Sequence, residues 1–305
     1  MTDPDRSRNN KYDFFQESYN LPDKRGKQLA LLHFSYTTEP VVGNFYVIHG
    51  YGGSLYDPFL LEAAKIALTK GYNVIGIENP ELSLTNGVKK NITKMNIARH
   101  SRVIQKGLEY CKDTSKKNSI LWAHSYACGA FTGLFMKSKV YDECFNAIVF
   151  NNPILMTPIK VLQAKKNSLK KDPTGKSWAK LSARQQLQNR EFDGVRHTIP
   201  ARIKTFEIPM PRNWKDYVDV EKCSYNYNGI ATELEGHIKN TQLFFILGTE
   251  DDKAEYALNK KIFESLKHTN KKMFSINAGH DFENKLDEYL QCSNIVFENI
   301  LSSGR

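Results

Sequence analysis

The sequence has no apolar run approaching the ~20 residues that a bilayer-spanning helix requires. Its longest apolar stretches are short and β-like, such as 243–247, so a membrane span is not expected. Residues 1–20 are polar and mixed in charge, with neither the apolar stretch nor the small-residue cleavage site of a secretory signal. A soluble, cytoplasmic protein is the expectation. Cysteine is scarce: Cys111, Cys128, Cys144, Cys223 and Cys292 form an odd set without any Cys-x-x-Cys spacing. That argues against a disulfide framework and against a zinc site, and leaves reduced thiols as the simplest reading. Internal repeats and low-complexity tracts are also absent.

What is present is enough for one sizeable core. The chain has 305 residues, 40% of them hydrophobic, and single α/β domains commonly run to about 250 residues or more. The formal net charge of +10 would suit a nucleic acid or an anionic membrane. Lysine and asparagine are abundant along the whole chain, however, and a uniform bias of that kind accounts for much of the charge. No nucleic-acid partner is expected.

Apolar β-like segments alternate with helical patterns, the signature of a mostly parallel, doubly wound sheet with helices on both faces. Strands are expected at 28–36, 44–49, 73–78, 119–123, 146–150, 242–248 and 272–277, and helices near 58–70, 93–111, 126–137, 254–268 and 284–301. In the second helix Ile97, Val103, Ile104 and Leu108 recur at roughly helical spacing between Lys, Arg and Gln. The stretch 154–241 breaks the alternation with five prolines (Pro158, Pro173, Pro200, Pro209, Pro211) and no clean strand. It reads as a cap inserted over the C-terminal edge of the sheet. The expected organisation is an arm at 1–26, a core from 27–153 and 242–305, and the cap at 154–241.

Ala123-His124-Ser125-Tyr126-Ala127 follows the apolar run 119–123 and opens a helix-like run through Ala130, Phe131 and Leu134. A strand-to-helix turn of this kind lifts a serine hydroxyl above the sheet in a strained backbone conformation. Only small residues fit two positions to either side. Alanine, the next smallest side chain after glycine, stands at both. His49-Gly50-Tyr51-Gly52-Gly53 follows another apolar strand, and its glycines let the chain turn tightly and bring backbone N–H groups toward a developing oxyanion. The amides of Tyr51 and Tyr126 are the candidates for that oxyanion hole. A phosphate-cradling loop is the lesser alternative, since neither the P-loop nor the dinucleotide-binding spacing is met.

Two further strand ends complete a constellation. The run 243–247 leads through Gly248 to Glu250, Asp251 and Asp252, and the run 274–278 leads through Gly279 to His280. A serine hydroxyl is a poor nucleophile until an imidazole can take its proton. That imidazole in turn needs an acid to fix its tautomer and stabilise its charged form. Taken singly, His280 could be a surface histidine and Asp251 a helix cap; three coincidences at strand ends speak against that.

On these motifs the core, roughly 28–154 and 241–301, resembles the α/β-hydrolase superfamily and its lipase-, lysophospholipase- and thioesterase-like serine hydrolases. The resemblance implies the α/β-hydrolase fold and the chain order Ser125, Asp251, His280. It puts the acid on Asp251, three residues past Gly248, with Asp252 and Glu250 left open. The position one strand earlier, which carries the acid in some relatives, reads Asn151-Asn152 here and cannot supply an anion. The resemblance implies no cofactor and no metal. It favours hydrolysis of a carboxylic ester or thioester through an acyl-serine. An acyltransferase or a non-catalytic binding protein on the same fold remains the alternative.

His49 and His124 flank these turns and read as structural, and Cys128 reads as a small buried residue. Asn91-Ile92-Thr93 is a glycosylation sequon only in form. Within the cap, 160–190 holds nine basic residues against one acid, Asp172, with Val161, Leu162, Leu169, Trp178, Leu181 and Leu187 interleaved. Such a segment could meet an anionic lipid-like substrate or membrane surface, or be a solvated basic face.

Overall fold

The computed structural model of the chain describes residues 14–50, 53–80, 97–111, 118–135, 144–155, 231, 234–236, 238, 240–251 and 253–303. Tyr51, Asp252, the sequon and nearly all of the cap stretch lie outside them. The described elements run β1 (Glu17–Pro22), β2 (Gln28–Ser35), β3 (Gly43–Ile48), α1 (Pro58–Thr69), β4 (Tyr72–Glu78), α2 (Ile97–Tyr110), β5 (Ile120–His124), α3 (Tyr126–Phe135), β6 (Ala147–Asn151), β7 (Gln242–Gly248), α4 (Tyr256–Ser265), β8 (Lys271–Ile276) and α5 (Leu286–Ser303), with a short 3-10 turn at Glu283–Lys285. None of these helices is long and apolar enough to cross a membrane.

All eight strands form one sheet in the order β1-β2-β4-β3-β5-β6-β7-β8. The pairs β1/β2 and β2/β4 are antiparallel, and every pair from β4/β3 to β7/β8 is parallel. Every residue of β3, β5, β6 and β7 is buried, as expected of parallel strands covered on both faces, and their apolar runs reflect it. Side chains alternate between two cores. Phe45, Val47, Trp122, Val149 and Ile246 face Phe59 and Ala63 of α1 and Val296 and Phe297 of α5. Tyr46, Ile48, Leu121, Ile148 and Phe245 face Val103 and Ile104 of α2, Ala130 and Phe131 of α3, and Ile262 of α4. Each such Val, Leu, Ile or Phe side chain contributes roughly 1.5–3 kcal/mol on full burial. Both margins of the cap stretch also enter the second core: Ile154 and Leu155 on one side, Ala231, Leu234 and Ile238 on the other.

Seven strands are expected from the sequence, and the structure adds β1. Its residues, ESYNLP, are almost all exposed and lack apolar alternation, so no local pattern announces a strand. It is held by its ladder to β2 and by cross-strand side-chain contacts. Ser18 Oγ lies 2.8 Å from His33 Nδ1, and His33 Nε2 reaches the buried Glu78 carboxylate on β4 at 2.6 Å. The Tyr19 ring meets Phe34 edge-on at 5.5 Å.

The sheet changes direction of growth between β3 and β5. From β3 the chain crosses through α1 to β4 on one side, and β5 then pairs with β3 on the other. In open α/β sheets the crevice at the C-terminal ends of strands flanking such a switch is where ligands bind. The loop after β3 and the turn after β5 meet there.

Behind that crevice runs a buried hydrogen-bonded chain. Trp122 Nε1 donates to the Tyr289 hydroxyl (2.9 Å), which donates to Asn151 Oδ1 (3.0 Å), while Asn151 Nδ2 donates to the Ala123 carbonyl (3.1 Å). Burial pushes the Tyr289 phenol far up, so it stays a neutral donor. Tyr289→Phe orphans both the indole N–H and the Asn151 oxygen. At about 1–3 kcal/mol per unsatisfied buried group, the variant is expected to lose about 2–6 kcal/mol of unfolding free energy at unchanged m in urea melts. A loss below about 1 kcal/mol would show that the chain relaxes around the missing hydroxyl.

Candidate active site

Ser125 occupies the single residue between the end of β5 and the start of α3. Its φ is +56°, in the left-handed region that non-glycine residues rarely adopt. The conformation is held from both sides. Ser125 N–H donates to Asn151 O (2.9 Å), and Ser125 O accepts from the amides of Ile154 (3.0 Å) and Cys128 (3.1 Å). The end of β6 and the chain just beyond it therefore clamp the turn that β5 makes. Ala123 and Ala127 are fully buried on either side of it, which explains why small residues stand there.

Gly50, just after β3, abuts this turn. A Cβ at position 50 would lie 2.7 Å from Ser125 Cβ and 3.2 Å from both Ser125 Oγ and His124 Nδ1. Only glycine lets the two loops touch. Tyr126 is the first residue of α3, a helix position whose amide has no acceptor within the helix itself. Its ring stacks over His100 at 6.2 Å and 12°. Tyr51, the other residue the sequence offers for an oxyanion hole, lies outside the described residues.

The loop beyond β8 carries His280 onto the serine. His280 Nε2 is 2.8 Å from Ser125 Oγ, and His280 Nδ1 is 2.7 Å from Asp251 Oδ2. With Nδ1–H donated to the carboxylate, the Nε2 lone pair faces the serine O–H, the tautomer a base needs. Asp251 is steadied by the amides of Lys253 (2.7 Å) and Ala254 (2.8 Å), which donate to its other oxygen. Burial pushes the Asp251 carboxyl up, but the His280 ring and these two amides outweigh it and hold the group below the ordinary carboxylate range. Ser125, Asp251 and His280 are 4%, 7% and 8% exposed, so bulk water barely screens their interaction. The three side chains that the sequence places at the ends of β5, β7 and β8 are thus brought into one hydrogen-bonded line.

Gly248 ends β7 where the chain must pass under the His280 loop, since a Cβ there would lie 2.5 Å from Ala278 O and 2.6 Å from Gly279 O. Three buried histidines surround the site without entering the line. Burial pushes His100 down to about 3 and also lowers His49. Burial, helped by the neighbouring His280, pushes His124 down to about 3. All three are therefore neutral near pH 7. His124 Nε2–H donates to the His280 carbonyl at 3.2 Å.

Two contacts have no counterpart in the sequence reading. Asn152 hydrogen-bonds the backbone of the His280 loop and of Gly248, and Lys253 pairs with Asp281 at 3.2 Å. Among the described residues, His124, His280 and Asp281 are the one set of three whose ligand atoms lie within 4.8 Å of one another. Both ring nitrogens of His280 are engaged and the Lys253 ammonium already sits on Asp281, so a metal ion would have to break this arrangement to bind.

An eight-stranded, mostly parallel sheet with helices on both faces, and a left-handed serine at its switch point, define the α/β-hydrolase fold. No protein-family model matches the chain and no curated protein matches it, but solved structures do. Est1E from Butyrivibrio proteoclasticus superposes with a TM-score of 0.58 at 11% identity, over 93% of this chain and 99% of its own. An esterase from Pyrococcus furiosus gives 0.55 at 14% identity, over 93% of each chain. The monoacylglycerol lipase of Paleococcus ferrophilus gives 0.51 at 16% identity, over 89% of this chain and 98% of its own. At such identities the likeness is one of fold.

The Gly50 contact is open to test. Gly50→Ala must displace either the loop after β3 or Ser125 itself, and a misplacement of about 1 Å can reduce reactivity about 100-fold. The expected result is a folded protein whose Ser125 reacts with a fluorophosphonate about 100-fold more slowly, measured by intact-mass kinetics. An unchanged rate would mean that the loop yields freely.

Proposed function

We propose that the protein is a serine hydrolase that cleaves a carboxylic ester or thioester through an acyl-serine intermediate. The observation that carries this reading is the line Ser125–His280–Asp251 with its 2.8 and 2.7 Å spacings, mounted on a left-handed turn at the sheet's switch point. Structural neighbours named as an esterase and as a monoacylglycerol lipase support the ester class.

In this mechanism Ser125 Oγ attacks the acyl carbon as His280 Nε2 takes the hydroxyl proton, and the Asp251 carboxylate stabilises the imidazolium. The carbonyl oxygen becomes an oxyanion facing the amides of Tyr126 and Tyr51. Collapse of the tetrahedral intermediate breaks the bond to the alcohol or thiol, which leaves with the proton from His280. Water, deprotonated by the same imidazole, then attacks the acyl-serine, and a second collapse frees the acid and returns the proton to Ser125. An acyltransferase would run the same steps with an alcohol or thiol in place of that water.

The acyl group is apolar in this proposal, and the Lys- and Arg-rich stretch 160–190 serves anionic headgroups or membrane surfaces. The free thiols of Cys128 and Cys292 suit a reducing compartment such as the cytoplasm.

Ser125→Ala is expected to lower hydrolysis of p-nitrophenyl and thioester substrates by several orders of magnitude while the fold persists, and Asp251→Asn by a smaller but still large factor. A folded wild-type protein that turns over no ester and leaves Ser125 unlabelled by fluorophosphonate would instead indicate a binding protein. For the basic stretch, co-sedimentation with anionic vesicles should exceed that with neutral ones and fade as salt shortens the Debye length from about 10 Å at 0.1 M to about 3 Å at 1 M. Changing Lys165, Lys166, Lys170 and Lys171 to Gln should abolish the difference. Equal sedimentation with both vesicle types would reduce the basic stretch to a solvated face.

A further inference from the structure

Asn152 follows β6 with φ +40°, a left-handed conformation that asparagine tolerates better than most residues. It is 1% exposed, and every polar group of its side chain is used. Oδ1 accepts from Gly248 N–H at 2.6 Å, and Nδ2 donates to His280 O at 2.7 Å and to Gly279 O at 3.2 Å. The chemistry of the partners fixes the orientation of the amide. A flipped side chain would set NH2 against N–H and an oxygen against two carbonyls. One carboxamide therefore ties the last residue of β7, three positions before Asp251, to the backbone of His280. His124 Nε2–H adds a second donor to the His280 carbonyl at 3.2 Å.

We propose that Asn152 is a positioning residue: its side-chain amide sets the alignment of His280 with Asp251 and Ser125 by bridging the two loops that carry the base and the acid. This inference rests on the serine-hydrolase reading above. Backbone pairing also joins the two strand ends, Glu250 N–H donating to Ala278 O at 3.0 Å, but it stops two residues short of His280. The His280 ring meets Asp251 at a single atom pair, so a shift of the loop beyond β8 would move the ring relative to both partners. Asparagine alone combines one acceptor and two donors at this reach. Aspartate keeps the acceptor for Gly248 N–H but turns an oxygen toward two carbonyls. Glycine keeps the backbone conformation and removes the bridge.

Two variants separate the amide from the backbone. Asn152→Gly should fold, as checked by thermal unfolding and near-UV dichroism. Its kcat should fall about 100-fold with KM little changed, and its rate of fluorophosphonate labelling at Ser125 should fall in parallel. Because the amide acts through the His280–Asp251 pair, the same change in an Asp251→Asn background should cost far less, a non-additivity that a general weakening of the fold does not produce.

Asn152→Asp should be impaired at alkaline pH and recover relative to wild type as pH falls between about 8 and 6. In that window a buried carboxyl facing two carbonyls takes up a proton and can donate one hydrogen bond to the His280 carbonyl. The titratable and charged groups around that carbonyl are the rings of His280 and His124, Asp251, and Asp281 with its partner Lys253. Taking the ratio to wild type at each pH removes their shared titration. The low-field NMR signal of the His280 Nδ1 proton gives a readout independent of turnover, and it should weaken in Asn152→Gly.

Wild-type kcat in folded Asn152→Gly, a loss confined to KM, strict additivity with Asp251→Asn, or an Asn152→Asp ratio flat with pH would each overturn the proposal. If Asn152→Gly does not fold, the pH ratio of Asn152→Asp decides alone. A wild-type Ser125 that fails to react would instead overturn the serine-hydrolase reading, and the NMR signal would still report whether Asn152 aligns His280.

Discussion

The arrangement at this site depends on one backbone constraint, the left-handed Ser125 held between β5 and β6. Left to itself, a serine at φ +56° would relax, because the conformation costs on the order of 1–3 kcal/mol. It persists because Ser125 N–H is bonded to Asn151, the last residue of β6, and its C=O to Ile154 just beyond, and β6 is in turn locked by parallel ladders to β5 and β7. From that clamp the rest follows. The hydroxyl stands at the C-terminal edge of the sheet, Gly50 can approach it, and α3 begins with its first amides beside it.

A second regularity is that the buried polar groups near the site are spent on backbone as much as on each other. Asn151 ties Tyr289 to the carbonyl of Ala123, Asn152 ties Gly248 to the carbonyls of Gly279 and His280, and His124 reaches the same His280 carbonyl. Loops at the ends of parallel strands cannot satisfy their own peptide groups, and unsatisfied groups would be costly in this dry setting. Short side-chain amides do that work here, and they fix loop positions in doing so.

How much of this was legible in the sequence differs by element. The central strands announced themselves as continuous apolar runs because both faces of a parallel sheet are covered, and each expected core strand lies within a residue or so of its observed bounds. β1 was not legible: it is a polar edge strand held by pairing and by Ser18–His33, neither of which leaves a local pattern. Ser125, Asp251 and His280 could be singled out because each follows an apolar strand and sits beside small residues or glycine. Asn152 could not, and its neighbour Asn151 shared the same dismissal for want of charge. Its partners lie 96 and 128 residues away, and no spacing rule links an amide to peptide groups so distant.

That same remoteness has a temporal consequence. Ser125 and His280 are 155 residues apart, and Asp251 follows β7, which pairs with β6 across the whole 154–241 stretch. Contacts of such sequence separation form late, since the entropy of closing long loops must be met before they are rewarded. A chain emerging from the ribosome can complete β2 through β6, and with them the Ser125 turn, while the imidazole is still unsynthesised or undocked. The hydrogen-bonded line of Ser125, His280 and Asp251 is complete only once β8 has joined β7 at the edge of the sheet.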